Sequence, residues 1–496
     1  MLKNKYSIIP KPTRYKTIEG FFYLTNSVLI YFYPEYIIQG KILQQFILKD
    51  TNISLKVTGH NKQNKIIRLL FNKDIIHPEA YILEISAGNI TISASTDKGI
   101  FYGIQTLRQI VLQCPDMKLA ATVIEDYPRF EWRGLHLDVS RHFFQVSFIF
   151  KLLDTMSFYK LNRFHWHLTD DQGWRIEIKK YPRLTKTGSY RKQKDGSVYG
   201  SYYSRKEIKE VIAYAGKLHI KILPEIEMPG HAVAAIAVYP ELSCRQKKLE
   251  VWNRWGISDD VFCAGKEPTF TFLENVLSEV IDLFPWEYIH IGGDECPKTR
   301  WKKCPDCQKR MVDEGLKNEE ELQSYFMRRI SSYLVKKGKK IIGWDEILDG
   351  GFTEKAVIMA WREDGIRATI KAADLEDDVI FCPNKVFYFD WKQTTNDKRG
   401  VFGVSTIGNI YNYNPIPKNL SEEEAGHIIG VQGNIWTERM KSSQIVEYMT
   451  FPRALAVAET GWSKSKDGWD DFAVRVKVHL KILAGMDINS CQVIEK

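Results

Sequence analysis

The 496-residue chain contains no run of about 18 apolar residues, so no segment of it reads as a membrane-spanning helix. Its first twelve residues also lack the apolar stretch of a secretory signal. Basic residues are not concentrated: 70 Lys and Arg against 61 Asp and Glu leave a net charge of +9, scattered apart from short clusters such as Lys336-Lys337 and Lys339-Lys340. A nucleic-acid reader gathers such charge into one patch, so nucleic acid is not an expected partner. Glycine (32) and proline (18) are too few for a low-complexity chain, and 44% hydrophobic residues suffice for a large core. The length points to two domains.

Cysteine is sparse, at eight residues. Cys304-x-x-Cys307 could be half a zinc site or a redox pair, but no second C-x-x-C and no His-rich partner follows, so no metal is expected there. Cys244 and Cys263 flank a polar loop and could bridge in an oxidising compartment.

Residues 1–127 read as an α+β module. Short β-rich runs occur at Ser27–Tyr33, Ile66–Phe71, Tyr81–Ser86 and Asn89–Ala94, with helices near Ile37–Leu48 and Thr96–Leu112. Thr96 is a plausible N-cap, and Asp126-Tyr127-Pro128 a plausible boundary because the residue before proline is pushed out of the helical region. No nucleophile or metal cluster stands out in this module, and its expected role is structural.

Across residues 128–496 short apolar runs alternate with longer amphipathic stretches. The strand candidates are Gly134–Val139, Arg163–Leu168, Lys221–Ile226, Tyr288–Ile291, Lys340–Gly343, Val357–Ala360, Val379–Cys382 and Ile428–Gln432. Helices are expected at Ser147–Tyr159, Ile208–Leu218 behind a Ser204/Glu207 capping box, Thr271–Leu283 and Glu319–Val335. Eight βα repeats close a (β/α)8 TIM barrel, giving an α/β fold preceded by the smaller α+β domain.

Nearly every strand candidate ends in an acid, a His or a Trp. The ends carry Asp138 with Arg141 and His142, His167 with Asp170 and Asp171, Glu225-Ile-Glu227 with His231, and Gly292-Gly293-Asp294-Glu295. Trp344-Asp345-Glu346, Trp361, Tyr388-Phe-Asp390 and Trp436-Thr-Glu438 follow. In such a barrel these ends meet at one mouth. Acids and hydrogen-bonding groups among flat indoles suit a sugar, whose hydroxyls need directional partners and whose C–H face packs on an aromatic ring. Phosphate would call for Gly-rich loops with Lys. The adjacent Asp294 and Glu295 raise the proton affinity of at least one of the two, and a neutral Glu295 would serve as a general acid.

His290-Ile-Gly-Gly-Asp294-Glu295 resembles the H-x-G-G-D-E signature of the family 20 glycoside hydrolases, the β-N-acetylhexosaminidases. So do Arg133-Gly-Leu-His-Leu-Asp-Val-Ser-Arg141, Phe164-His-Trp-His-Leu-Thr-Asp170-Asp171, Pro224-Glu-Ile-Glu-Met-Pro-Gly-His231 and Trp436-Thr-Glu438, and the likeness extends over almost the whole chain. The resemblance implies an exo-acting enzyme that removes terminal β-linked N-acetylglucosamine or N-acetylgalactosamine, without a cofactor. The substrate's own acetamido oxygen would attack the anomeric carbon.

Glu295 would then be the acid and base, Asp294 would orient the acetamido N–H, and Tyr388 would hydrogen-bond its oxygen. Trp344, Trp361 and Trp436 would wall the sugar, while Arg141, Asp170, Asp390 and Glu438 would hold its hydroxyls. His231 and His290 would touch the sugar or tune the acids. Trp391, Trp252 and Trp255 are candidates for further contacts. The expected partner is an oligosaccharide or glycoconjugate, and the family's polysaccharide-degrading members suggest an extracytoplasmic location. Two rival readings are a catalytically inactive glycan-binding barrel and a metal-dependent hydrolase using His290, Asp294 and the cysteine pair.

Overall fold

A computed structural model of the chain describes residues 6–60 and 64–496. Residues 1–5 and 61–63, which the sequence reading places in the N-terminal module, lie outside the described residues.

The N-terminal part is a mixed seven-stranded sheet. Its strands lie in the order Arg14–Tyr23, Lys118–Asp126, Tyr81–Ile85, Asn89–Ala94, Ile66–Phe71, Leu29–Phe32 and Lys56–Val57. Helices Ile37–Thr51 and Asp97–Leu112 pack on the sheet and on each other. Thr96 caps the second helix by accepting a hydrogen bond from the Gly99 amide at 3.1 Å. Three of the seven strands are absent from the sequence reading. Arg14–Tyr23 is an edge strand with mostly exposed side chains, so its burial leaves no apolar alternation to read.

Helix Asp97–Leu112 is buried almost throughout because it lies between this sheet and the larger domain. Gln109 spans the gap, donating to the Phe158 carbonyl at 3.0 Å. Beside it, Asp126 at the end of the sheet receives Lys160 Nζ at 2.9 Å, Tyr81 Oη at 2.7 Å and Trp462 Nε1 at 2.9 Å. Arg133 pairs with Glu79 at 2.9 Å. Removing one partner of such a buried pair costs about 3–5 kcal/mol, so this polar cluster fixes the small domain rigidly under the large one.

The large domain is a closed barrel of eight parallel strands in chain order: Trp132–Asp138, Arg163–His167, Lys221–Glu225, Tyr288–His290, Lys340–Trp344, Ala356–Ala360, Asp378–Phe381 and Ile428–Ile435. Each overlaps one of the eight expected runs. The Ser204/Glu207 capping box is present at the start of helix Arg205–Lys217. The helix expected from Thr271 starts earlier, at Glu267, because Pro268 falls in the first turn, where a missing N–H costs nothing. After the third strand a helix of only six residues, Val233–Val238, is followed by a long irregular loop that reaches helix Glu267–Leu283.

The barrel interior is not filled by branched apolar side chains alone, as such barrels commonly are. Below the mouth, buried His136, His165, His167, Glu225, His290, Gln432 and Asn434 form a polar layer. Gln432 Nε2 lies 3.0 Å from His165 Nδ1 and 2.9 Å from Asn434 Oδ1.

Candidate active site

The carboxyl ends of the strands surround a cavity of about 490 Å³. Its wall includes Arg141, His231, Asp294, Glu295, Trp361, Tyr388, Asp390, Trp436 and Glu438. A second depression of about 340 Å³ shares Glu295 and Ile257 with the first, so the Glu295 carboxyl stands between the two.

Asp294 and Glu295 reach this position through a tight turn after the fourth strand. Gly292 and Gly293 adopt φ of 65° and 100°, and Gln323 Nε2 fixes the turn by donating to the Gly293 carbonyl at 2.7 Å. A Cβ on Gly292 would lie 1.9 Å from Glu227 Oε2, and one on Gly293 would lie 2.3 Å from Ile347 Cγ2. Both glycines are therefore required by sterics as well as by backbone angle.

His231 links the acids of two strands. Its Nδ1 lies 3.2 Å from Asp170 and 3.5 Å from Asp171, and its Nε2 lies 3.5 Å from Asp294 and 3.4 Å from Glu295. Burial opposes its charge, but Asp170 and the other acids prevail and raise its proton affinity well above the ordinary imidazole range. Asp170 is buried too, yet Arg141 and His231 hold it below the usual carboxylate range. Arg141 Nη2 lies 2.9 Å from Asp170 and 3.9 Å from Glu438, and its guanidinium lies 5.1 Å from the Trp436 ring centre.

Under this layer Glu225 accepts from Trp344 Nε1 and meets His290 Nδ1, both at 2.8 Å. It also meets His165 Nε2 at 3.0 Å and contacts His167. Burial would neutralise Glu225, but His290, His167 and His165 keep it well below its ordinary value. His167 answers in kind: burial disfavours its charge, and Glu225 with Asp170 raises it to about 10.

Two further acids flank Asp294. Burial, and next the Asp294 charge, push Glu227 and Glu346 well above the carboxylate range. Glu346 accepts the Trp361 indole N–H at 2.8 Å, and Trp361 stacks on Tyr388 with centroids 5.8 Å apart and planes at 12°. Tyr388 is pinned to the eighth strand through Phe389, whose amide donates to Asn434 at 2.8 Å. Burial, and next Cys382, keep the Tyr388 hydroxyl protonated far above neutral pH.

Three residues expected around the sugar lie at the back of the site, His290 among the acids, in keeping with the tuning role that was one of its two expected roles. Asp170, His290 and Trp344 are each at most 1% exposed and do not line the cavity. They orient Arg141, Glu225 and Trp436 from behind; the Trp344 and Trp436 ring centres are 5.9 Å apart. His231 does line it. Glu225, Glu227 and Glu346, for which no role was expected, all stand at strand ends. Trp255 and Trp391 both line the cavity, joined by Ile257 and Phe402.

Two family models match the chain: "Glycosyl hydrolase family 20, catalytic domain" over residues 130–465 and "Glycosyl hydrolase family 20, domain 2" over residues 5–127. The chain belongs to glycosyl hydrolase family 20. It is 42% identical over 452 residues to a β-hexosaminidase of Porphyromonas gingivalis, covering 88% of this chain and 58% of that protein, so it spans little more than half of that relative.

Among solved structures, the exo β-N-acetylglucosaminidase of Vibrio harveyi in complex with N-acetylglucosamine superposes with TM-score 0.89 at 31% identity, over 98% of this chain and 78% of that one. The β-N-acetylhexosaminidase of Bacteroides fragilis gives TM-score 0.86 at 32% identity, over 98% and 97%. These relatives are glycosidases of β-N-acetylhexosaminidase type. The inactive-barrel reading is not favoured. The rival metal hydrolase does not assemble, since His290 faces Glu225 while the cysteine pair gathers with Cys244 and Cys263. No described helix is long and apolar enough to cross a membrane.

Proposed function

We propose that this chain removes single terminal β-linked N-acetylhexosamine residues from the non-reducing ends of glycans, with retention, through an oxazolinium formed by the substrate's own acetamido group. The observation that carries the reading is a set of unmet hydrogen bonds. Arg141 Nη1, Asp294 Oδ1, Asp390 Oδ1 and the Trp436 indole nitrogen are buried, belong to residues that line one cavity, and have no hydrogen-bond partner within the protein. A buried polar atom without a partner costs about 1–3 kcal/mol, and a polyhydroxylated amide ligand supplies donors and acceptors for all four.

In this reading Asp294 accepts the acetamido N–H and faces the positive charge that grows on the acetamido carbon, and the neutral Tyr388 hydroxyl donates to its oxygen. Glu295, whose side chain is 35% exposed, protonates the leaving oxygen and later takes a proton from the water that opens the ring. Arg141, Asp390 and Glu438 close the end of the cavity around the outer hydroxyls, which limits the enzyme to chain ends. An internal amide nucleophile can reach an effective molarity of about 10⁵ M or more, so no enzyme nucleophile is required. Removal of single sugars from polymeric glycans suits an extracytoplasmic enzyme, which cell fractionation tests.

The deciding experiment compares aryl N-acetylglucosaminides of good and poor leaving-group ability with the Glu295→Gln variant. Loss of about 10²–10⁴ in kcat/KM is expected for the poor leaving group and much less for the good one. A substrate with hydroxyl in place of acetamide should not turn over in the unaltered enzyme. Equal turnover of the two substrates, or full activity of the variant on the poor leaving group, refutes the mechanism.

A further inference from the structure

Away from the sugar cavity, four cysteine sulfurs converge. Sγ of Cys263 lies 3.7 Å from that of Cys304 and 3.6 Å from that of Cys307, Cys244 lies 3.8 Å from Cys307, and all four sulfurs lie within 4.8 Å of one another. These are not disulfides, whose sulfurs are about 2.05 Å apart. Four sulfurs placed tetrahedrally about 2.3 Å from one Zn²⁺ are about 3.8 Å from each other, close to the separations of these three pairs. Three of the four cysteines are buried and the fourth is half-buried, as a closed structural site requires.

The surroundings favour thiolates. Cys304 and Cys307 bracket the start of helix Pro305–Asp313, whose positive end stabilises negative charge. Cys244 and Cys263 are far apart in sequence, but an antiparallel bridge between their neighbours Ser243 and Phe262 brings them side by side. Gly265 packs so close to the other pair that a Cβ there would lie 2.4 Å from the Cys307 backbone nitrogen. The second half of the site is thus made by a loop closing on itself, which is why the search for a second C-x-x-C failed to find it.

We propose that Cys244, Cys263, Cys304 and Cys307 bind one Zn²⁺ and that this ion fixes the loop between Cys244 and Cys263 against the segment that follows Glu295. On binding, the four thiols release their protons to solvent and no electron is transferred. The loop is irregular, yet it carries Trp255 and Ile257 into the wall of the sugar cavity. Other ties help to hold it: the Trp252 amide donates to Asp171 at 3.1 Å, Gln172 donates to the Arg254 carbonyl at 3.0 Å, the Phe262 amide donates to Pro229 at 2.9 Å, Asp260 pairs with Arg245 and Arg300, and Trp255 packs 5.5 Å from the His142 ring. Zinc would close the base of this loop while its tip contacts the sugar being released.

Elemental analysis of the purified full-length protein tests this directly, with one zinc per chain expected. The Cys304→Ser/Cys307→Ser double variant should lose the zinc, melt at a lower temperature, and show a several-fold higher KM for a disaccharide substrate. Its kcat on a small aryl glycoside should change little. Should that variant fail to fold, cobalt exchange into the unaltered protein keeps the test open, since tetrahedral cobalt thiolate gives a visible spectrum and an intense sulfur charge-transfer band. Zinc-free protein that takes up neither zinc nor cobalt, iron in place of zinc, or an intact mass lower by the hydrogens lost to two disulfides overturns the proposal.

Discussion

Replacing Gly292 by Ala tests the geometry that delivers the acid pair. The added Cβ would stand 1.9 Å from Glu227 Oε2, where ordinary contact begins at 3.4 Å. The Glu227 carboxyl would have to retreat by about 1.5 Å in a packed interior that has no slack. Glu227 is buried, neither of its oxygens is hydrogen-bonded, and His167 Nδ1 lies 3.8 Å from Oε1, so moving the carboxyl breaks no hydrogen bond but disturbs that contact. Overpacking of this kind costs about 1–3 kcal/mol, and holding an alanine at φ 65° adds about 1–2 kcal/mol.

Part of that strain passes along two residues to Asp294. A displacement of about 1 Å at a reacting group can cost about 10²-fold in rate, so kcat on an aryl N-acetylglucosaminide should fall by about that factor. The control is the same substitution in a Glu227→Ala background, where the obstruction is gone. There the alanine should cost only its backbone angle, giving a coupling of about 1–3 kcal/mol between the two positions in thermal or denaturant unfolding. Strict additivity, or full turnover by the single variant, would refute the steric account of the turn.

Two predictions concern protons. Burial, and next Glu438, push Asp390 from 3.8 up to about 7, so its contribution to stability is present at low pH, is lost as pH rises from about 4 to about 7, and is level above that. At about 1.36 kcal/mol per pH unit, Asp390→Asn should be more stable than the unaltered protein at pH 8 by up to about 4 kcal/mol, while its KM rises because a hydroxyl acceptor is lost. Calorimetry and kinetics at pH 5 and pH 8 check it, and a variant less stable at pH 8 contradicts it. For His167, raised from 6.5 to about 10, the stabilisation is complete below pH 6.5 and disappears as pH climbs through about 10. The melting difference between the protein and His167→Gln should therefore be largest near pH 6 and shrink toward pH 10; a difference that grows with pH would contradict the pairing with Glu225.

The eight barrel strands were readable because a strand buried on both faces is a short apolar run, and the repeat spacing of βα units leaves few other closures. The acids at the mouth were readable for the same reason, since polar residues immediately after such runs have only one place to go. Which of them line the cavity was not readable. Asp170 and Glu438 both follow strands, yet Asp170 turns under Arg141 while Glu438 reaches the cavity, and that choice depends on packing between strands far apart in sequence. The polar layer of His136, His165, Glu225 and His290 was invisible because each residue alone interrupts a strand's apolar pattern, and only the closed barrel brings them together. The cysteine site was hidden by the same kind of long-range closure.

That buried layer bears on the proposed chemistry. A mouth crowded with ionised acids would repel its own charges, and the cost would fall on Asp294 in particular, which Glu227 and Glu346 flank. The fold avoids this by sorting protons according to partners. Glu225, in direct contact with His167, is held below the ordinary carboxylate range, whereas burial and the Asp294 charge push Glu227 and Glu346 above it, although His167 lies 3.8 Å from Glu227 and Arg362 lies 3.9 Å from Glu346. His231, held as a cation by Asp170, is then the charged neighbour within 3.5 Å of both Asp294 and Glu295. In the proposed mechanism, the raised proton affinity of Glu227 and Glu346 would lessen their repulsion of Asp294, leaving its carboxylate to face the positive charge that develops on the acetamido group, in a buried setting that water screens poorly.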